Sequence, residues 1–182
     1  MANTAADRLR PLRRTRQIRD FTDEQVSRED LDALANVARW TGSSRNTQPW
    51  RFIVVTDVDA IRRIAEIGLP QTRALKSATA ALAIVLPVDE THEIGIAYDD
   101  GRAAERILIA AGMLDLGAGI AWVRSDVRDS IGEVLGLPAE RYVRTIVALG
   151  HPSEAALAPK AAPGDARLPR DESIFEERWP AG

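Results

Sequence analysis

Three polar clusters in this 182-residue chain contain residue types that could do chemistry. Residues 13–19 include four arginines, and a guanidinium presents a planar fork of donors suited to phosphate oxygens. Residues 43–50 are rich in hydroxyl and amide side chains, which donate and accept hydrogen bonds and can bind the edge of a heterocycle. Near the C-terminus, Arg167 could supply a second phosphate contact. By residue type alone, each cluster also has a simpler interpretation. Residues 13–19 could be a solvated basic tail or a nucleic-acid-binding arm, and residues 43–50 could be a polar loop beside a core tryptophan. Arg167 could be a chance charge in the tail.

The composition excludes several kinds of chemistry. The chain has no cysteine, so disulfides, cysteine-ligated zinc, iron–sulfur clusters and thiol catalysis are excluded. Its two histidines, His92 and His151, are too few and too far apart to indicate a histidine-built metal site. We therefore predict that the protein has no metal site.

Charge is distributed unevenly along the chain. The net charge is −3, which does not suggest a general nucleic-acid binder. Residues 1–20 nevertheless hold six arginines and two aspartates, so this basic arm carries +4 and the rest of the chain carries −7. No apolar run approaches the ~20 residues needed to span a bilayer, and no segment resembles a signal peptide. We therefore expect a cytoplasmic protein without a membrane partner.

Hydrophobic periodicity predicts helices and strands in alternation. The predicted elements are, in order, a helix capped by Ser27, a strand over 51–56, a helix capped by Asp57, a strand over 79–88, a helix over 98–116, a strand over 119–123, a helix over 126–135 capped by Ser125, and a strand over 142–150. Such alternation usually indicates a parallel, doubly wound sheet. The two common nucleotide-binding fingerprints, G-x-G-x-x-G and G-x-x-x-x-G-K-[ST], are absent.

Three features need a further explanation. The long helix over 98–116, which Gly117 and Gly119 are expected to end, is apolar nearly all round and should be buried in a core or between subunits. Residues 151–170 carry four prolines, six alanines and few large apolar groups, which predicts an extended segment without its own core. Trp179 lies in a polar tail and is expected to dock onto its own domain or a partner chain.

The polar clusters become more specific when they are considered together. Residues 16–26 (RQIRDFTDEQV), a helix, and then residues 43–55 (SSRNTQPWRFIVV) resemble the FMN-dependent nitroreductase family in order and in spacing. The segments 116–119 (LGAG), 148–152 (ALGHP) and 167–179, which begins RLPRDE, also look like that family. The resemblance therefore covers nearly the whole chain.

The resemblance implies a fold that differs from the parallel sheet. It implies an α+β, three-layer α/β/α domain over residues 1–182, with a mixed, mostly antiparallel central sheet between helices. Family members are intertwined homodimers with FMN at the subunit interface. The basic arm, residues 1–20, would precede the fold, and the C-terminal extension, residues 151–182, would cross to the partner and add a strand there. This arrangement would account for the long helix, the coreless segment and Trp179, and we adopt it.

The resemblance also implies which residues bind FMN. They are Arg16, Gln17 and Arg19 in the arm, Ser43, Ser44, Asn46 and Gln48 in the loop from the other subunit, Ala121, Trp122 and Val123 on the strand beside the flavin ring, and Arg167. It implies no catalytic side chain. NAD(P)H would reduce the flavin, which would then reduce a nitroaromatic, a quinone or another electron-poor acceptor in a ping-pong scheme. Gln17 replaces the serine of many members, and the short stretch over 56–79 suggests an open site.

Three alternative functions remain open from the sequence. One is a non-catalytic FMN-binding protein that stores the cofactor or acts as a sensor. Another is a flavoenzyme of the same fold with different chemistry: dehydrogenation, dehalogenation or flavin breakdown. A third is a nucleic-acid module that uses the arginine arm, which the acidic remainder of the chain makes the weakest of the three.

Overall fold

The central sheet of the computed structural model, which describes residues 4–158 and 167–180, has four strands. They are β1 (Arg51–Val55), β2 (Ala80–Pro87), β3 (Gly117–Trp122) and β4 (Arg141–Gly150), in the spatial order β1-β2-β4-β3. Each described pairing is antiparallel. The parallel sheet that alternation suggested is therefore wrong, and the sheet implied by the resemblance is the better description.

The connections explain why alternation failed to predict strand direction. After β1, the chain leaves at Val55 and returns at Ala81, which is the pairing partner of Val55. The connection contains a helix and a separate 3-10 turn, Arg73–Lys76, and it returns the chain to the same end of the sheet. A parallel crossover would return the chain to the opposite end of the sheet.

Helices cover both faces of this sheet. The helices of the described residues are α1 (Ala5–Arg8), α2 (Arg10–Arg14), α3 (Arg28–Arg39), α4 (Val58–Ile67), α5 (Glu93–Met113), α6 (Arg128–Leu135), α7 (Glu154–Leu157) and α8 (Arg170–Ser173). Of these, α3 and α5 cover one face of the sheet, and α4 and α6 cover the other. On β2, Leu82 and Ile84 belong to the core beneath α3 and α5, whereas Ala83 and Val85 belong to the core beneath α4 and α6. Because successive residues of a strand face opposite sides, an unbroken apolar strand fits a sheet buried on both faces. This is the expected three-layer arrangement.

Local capping signals predicted two helices well. Ser27 is the N-cap of α3 and its side chain accepts a hydrogen bond from Asp30 N–H, as expected. Asp57 caps α4 and accepts from the amides of Asp59 and Ala60. The apolar residues of α4 that the periodicity assigned to the core, Ile61 and Ile64, are at most 2% exposed.

Three predictions about element ends are wrong. Helix α5 begins at Glu93, five residues earlier than expected. Gly117 and Gly119 do not end that helix but lie inside β3. Ser125 makes no cap bond, because residues Ser125–Val127 form a 3-10 turn before α6.

The glycines are needed in β3 because another segment crosses it closely. A Cβ at Gly119 would overlap the carbonyl oxygen of Ile18, and a Cβ at Gly117 would lie 2.9 Å from Ile18 Cγ2. The same residue type that ends helices is also the one that permits close backbone approach, and the sequence alone does not distinguish the two uses.

Only one face of α5 is buried within the protomer. That face includes Ile107 and Ala111, which pack beneath α3 and against the sheet. On the opposite face, Ile94, Tyr98 and Met113 are 77%, 73% and 68% exposed. The prediction that the helix is buried is therefore correct for one face, and the other face remains available for a partner.

Part of the C-terminal extension lies outside the described residues, namely 159–166 and 181–182. Within the described tail, Trp179 is 79% exposed and packs edge-on against Phe175, with ring centroids 4.7 Å apart. The crossing of this extension to a partner stays a prediction. No helix in residues 4–158 or 167–180 is long and apolar enough to cross a membrane.

Candidate functional site

The arm segment that follows α2 is fixed across the edge of the sheet by backbone contacts. Ile18 N–H donates to Ala118 O at 2.8 Å, and Phe21 N–H donates to Ser77 Oγ at 3.1 Å. Both side chains are 6% exposed. The segment carrying Arg16, Gln17 and Arg19 therefore has a defined position beside β3 rather than being a free basic tail.

Gln17 and Arg19 form a small hydrogen-bonded group on the edge strand. Gln17 Oε1 accepts from Arg19 Nη2 at 2.9 Å and from Ile120 N–H at 3.3 Å. Strand β3 is at the edge of the described sheet. The Gln17 side chain therefore accepts a hydrogen bond from a backbone N–H that no neighbouring strand uses. The Gln17 side chain thus links the Arg19 guanidinium to Ile120 of β3.

Three further predicted site residues lie at the end of β3. Ala121 and Val123 are fully buried, whereas Trp122 is 45% exposed. Val123 N–H already donates to Arg144 O at 2.8 Å. Of these three predicted site residues, Trp122 is the one whose side chain reaches the surface.

Arg16 lies in different surroundings from Arg19. It lines a cavity of about 690 Å³ together with Arg10 and Arg14, and the end of α5 at Gly112 and Met113 forms another wall. Arg16 Nη2 donates to Leu157 O at 2.7 Å. Asp7, which pairs with Arg10 at 2.7 Å, and Asp115 also line this cavity, so the three guanidinium groups leave a net charge of +1 that suits a phosphate.

The loop before β1 has an unusual backbone. Arg45, Asn46 and Gln48 have φ angles of 50°, 56° and 48°, in the left-handed region that non-glycine residues rarely adopt. Ser43 Oγ accepts from Gln48 N–H at 2.9 Å, and Gln48 Nε2 donates to Asn46 Oδ1 at 3.2 Å. The side chains of Asn46 and Gln48 are exposed.

Helix α5 separates the loop from the arm within one protomer. Ser44 N–H donates to Asp99 Oδ2 at 3.2 Å, whereas the arginine-lined cavity is walled by Gly112. These two helix positions are 13 residues apart, which is roughly 20 Å along the helix axis. The structure brings Arg16, Gln17 and Arg19 together with β3 and holds the loop residues as a second group. Arg167 is exposed on the described tail.

Helix α5 carries two buried carboxylates that are not among the predicted site residues. Asp99 and Asp100 are both 3% exposed. The signal was present: both fall on the period of the buried residues Ile96, Ala103 and Ala104, so they occupy core positions of the helix.

Asp100 lies against β4 and is poorly solvated. Thr145 Oγ1 donates to its Oδ2 at 2.7 Å, while Oδ1 has no hydrogen-bond partner in the described part of the chain. Burial raises the pKa of this carboxyl to about 6, although the Thr145 hydrogen bond and the positive charges of Arg144 and Arg128 oppose the shift. Such a carboxyl is costly to keep charged.

The described residues contain no group of three or more metal-ligating side chains that could hold an ion. This statement covers residues 4–158 and 167–180 only. The donors gathered at the arm and at the loop are guanidinium, amide and hydroxyl groups, and these suit an organic phosphate rather than a metal.

Comparisons with known proteins identify the relatives of this chain. The nitroreductase family model matches residues 12–84. The chain is 32% identical over 145 residues to an Archaeoglobus fulgidus protein named as an NADH dehydrogenase/NAD(P)H nitroreductase. This match covers 76% of this chain and 82% of that protein. A shorter match, 38% identical over 56 residues, covers 31% of this chain and 19% of the iodotyrosine deiodinase 1 of Sus scrofa.

Solved structures give the same result for the fold. An FMN-dependent nitroreductase from Clostridium difficile superposes with a TM-score of 0.77 and 26% identity, over 92% of this chain and 98% of that chain. The expected α+β nitroreductase-like fold is thereby confirmed. The chain belongs to the nitroreductase family.

Proposed function

We propose that this protein is an FMN-dependent oxidoreductase that uses NAD(P)H to reduce nitroaromatic, quinone or other electron-poor acceptors. It works as a homodimer of single-domain protomers, with FMN at the subunit interface. The observation that carries the proposal is the separation of the arm residues Arg16 and Arg19 from the loop residues Asn46 and Gln48 along α5.

A twofold dimer would unite these two groups. If two copies of α5 pack antiparallel through their exposed faces, the loop near Asp99 of one copy lies beside the arm near Gly112 of the other. Such an isologous contact repeats itself, so one interface produces two equivalent sites. The groove of about 1120 Å³ between α3 and α5, which is lined by Tyr98 and Met113, offers the apolar surface for this contact.

The donor set fits FMN. Arg16 in its basic cavity would bind the phosphate, with Arg167 as the second cation from the C-terminal extension. Arg19, oriented by Gln17, would face the pyrimidine edge of the flavin ring, where its positive charge stabilises the negative charge of the reduced ring. Gly119 supports this geometry because the arm can only cross β3 at a residue without a Cβ.

The remaining predicted residues have positioning and binding roles. Asn46 and Gln48 would donate to and accept from the ring edge across the interface, with Ser43 and Ser44 holding the loop. Ala121, Trp122 and Val123 would lie along the ring at the end of β3.

When bound, FMN supplies the two-electron transfer between NAD(P)H and the acceptor. The chain's own residues bind and orient it, and no protein nucleophile is required. The proton donor is solvent or a group of the substrate.

The deiodinase match supports a second candidate, a reductive dehalogenation by the same site. That match covers only 31% of this chain. Reduction of nitroaromatic or quinone acceptors is therefore the first candidate, and a screen that includes halogenated phenols separates the two.

The test uses the visible spectrum of the purified protein. The wild-type protein should copurify with FMN, and NADH or NADPH should bleach its absorbance under anaerobic conditions. Arg19→Ala should fold and copurify with much less flavin, whereas Arg63→Ala, at an exposed position of α4, should retain it. A colourless wild-type protein that does not bind added FMN would refute the proposal. A yellow protein that neither nucleotide bleaches would instead support a storage or sensor role.

A further inference from the structure

The loop over residues 43–48 has a strained backbone conformation. Three of its residues, Arg45, Asn46 and Gln48, are non-glycine residues in the left-handed region. Each such residue carries conformational strain, and it persists only where surrounding contacts impose it. The bonds from Ser43 and Gln48 within the loop shape it but do not fix it relative to the helices.

A contact with α5 provides that fixed point. Ser44 N–H donates to Asp99 Oδ2 at 3.2 Å, and the carboxylate side chain is 4% exposed. A carboxylate is rarely buried unless it is paired. Here the partner is Arg102, whose Nη1 lies 3.3 Å from Asp99 Oδ1. One oxygen is thus committed to the ion pair, and the other holds the loop amide.

Arg102 also lies against the backbone at the start of this loop. A Cβ at Gly42 would lie 2.8 Å from Arg102 Nη2, so the guanidinium packs directly against the backbone where the loop begins. Arg102 and Asp99 are one helical turn apart. Together they hold the loop entrance at Gly42 and Ser44 against α5.

We propose that Asp99 is a positioning residue, which holds the loop in the conformation that presents Asn46 and Gln48 to FMN bound by the partner subunit. Asp99 lies inside α5 and does not cap it, so the helix itself does not require a buried charge at this position. Arg102 also lines the groove between α3 and α5. The ion pair therefore lies between the proposed dimer interface and the loop. This inference rests on the proposed function.

The test compares Asp99→Ala and Asp99→Asn with wild type. The alanine removes both contacts, whereas the isosteric asparagine keeps an oxygen that can accept from Ser44 N–H and loses the ion pair. Asp32→Ala is the matched control. Asp32 pairs with Arg28 at 2.9 Å on the exposed face of α3, and this pair does not involve the loop. Two measurements are made on each: the FMN dissociation constant of flavin-free protein, and hydrogen exchange of its loop amides.

Asp99→Ala should raise the FMN dissociation constant about tenfold or more, the effect of losing a hydrogen bond to a charged group. Its Ser44 and Asn46 amides should exchange faster than in wild type, even without flavin. Asp99→Asn should lie between wild type and the alanine variant in both measurements, and Asp32→Ala should match wild type.

Two results would overturn the proposal. One is wild-type loop exchange in both Asp99 variants, which would mean that the carboxylate does not hold the loop. The other is faster exchange with an unchanged FMN dissociation constant, which would mean that the loop position does not matter for binding. If wild type itself does not bind FMN, the proposed function fails, and the exchange measurement still decides whether Asp99 holds the loop.

Discussion

Replacing Asp100 by asparagine should make the protein more stable at neutral pH. The carboxyl lies on the inner face of α5, is 3% exposed, and accepts one hydrogen bond from Thr145. An asparagine has nearly the same shape, and its side-chain oxygen can still accept from the Thr145 hydroxyl. The substitution therefore removes the buried charge and retains the described contact, and it places the amide N–H groups where Oδ1 has no described partner, a cost that is the same at every pH.

The size and pH range of the effect follow from the raised pKa. Burial raises the pKa of Asp100 from 3.8 to about 6, a shift of roughly two units. At ~1.36 kcal/mol per unit, this corresponds to about 3 kcal/mol. The folded protein holds the proton more tightly than the unfolded chain does, so the favourable contribution is complete below pH 3.8. This contribution to the free energy of unfolding is lost as the pH rises through about 6, and above that value the wild type stays less stable than it is at low pH.

The assay is urea unfolding of both proteins between about pH 4 and pH 8. The difference in free energy of unfolding, Asp100→Asn minus wild type, should grow by about 2.5 kcal/mol across this range, because the carboxyl of the unfolded chain is already partly ionised at pH 4. For a domain of this size a change of about 2.5 kcal/mol corresponds to roughly 5–10 °C in Tm. Asp32→Asn, which removes an exposed carboxylate, sets the baseline. A difference that is independent of pH would refute the reasoning, because it would mean that the buried charge is not penalised.

Two further substitutions test the arm crossing and a helix cap. Gly119→Ala should lower the free energy of unfolding by about 1–3 kcal/mol and reduce bound flavin, because its Cβ would overlap Ile18 O. By contrast, Gly95→Ala on α5 meets no atom within 4 Å and should stabilise the protein by up to about 1 kcal/mol; equal effects at Gly95 and Gly119 would contradict the crowding argument. Asp57→Ala should cost about 1 kcal/mol in chemical denaturation, since two amides of α4 lose their acceptor, and an unchanged value would show that water replaces the cap.

Features with local causes could be predicted from the sequence. The caps at Ser27 and Asp57 involve residues within three positions of the cap, so the pattern that predicts them is also the interaction that forms. The unbroken apolar run of β2 likewise predicts a strand that is buried on both faces, whatever its position in the sheet. The order and spacing of the arm and loop motifs also indicate the family without any knowledge of the tertiary structure.

Features that depend on distant segments could not be predicted in the same way. The pairing of Val55 with Ala81 depends on how α4 and the following 3-10 turn pack, and helix–strand alternation does not encode that path. The local pattern predicts a helix stop at Gly117 and Gly119, because the crossing by Ile18 lies about a hundred residues away in the chain. The register of the sheet also contains an irregularity between Ile84 and Val85 that no local pattern indicated.

The sequence by itself determined which donors this protein has: guanidinium groups near both ends and an amide-rich loop before the first strand. The tertiary structure decided how they are used. It tied Gln17 to the edge of β3, gave Arg16 and Arg19 different surroundings, and set Asp99 beneath the loop. The physical reason is that a side chain's type is fixed by the chain, whereas its solvation and partners are fixed by segments that only folding brings into contact.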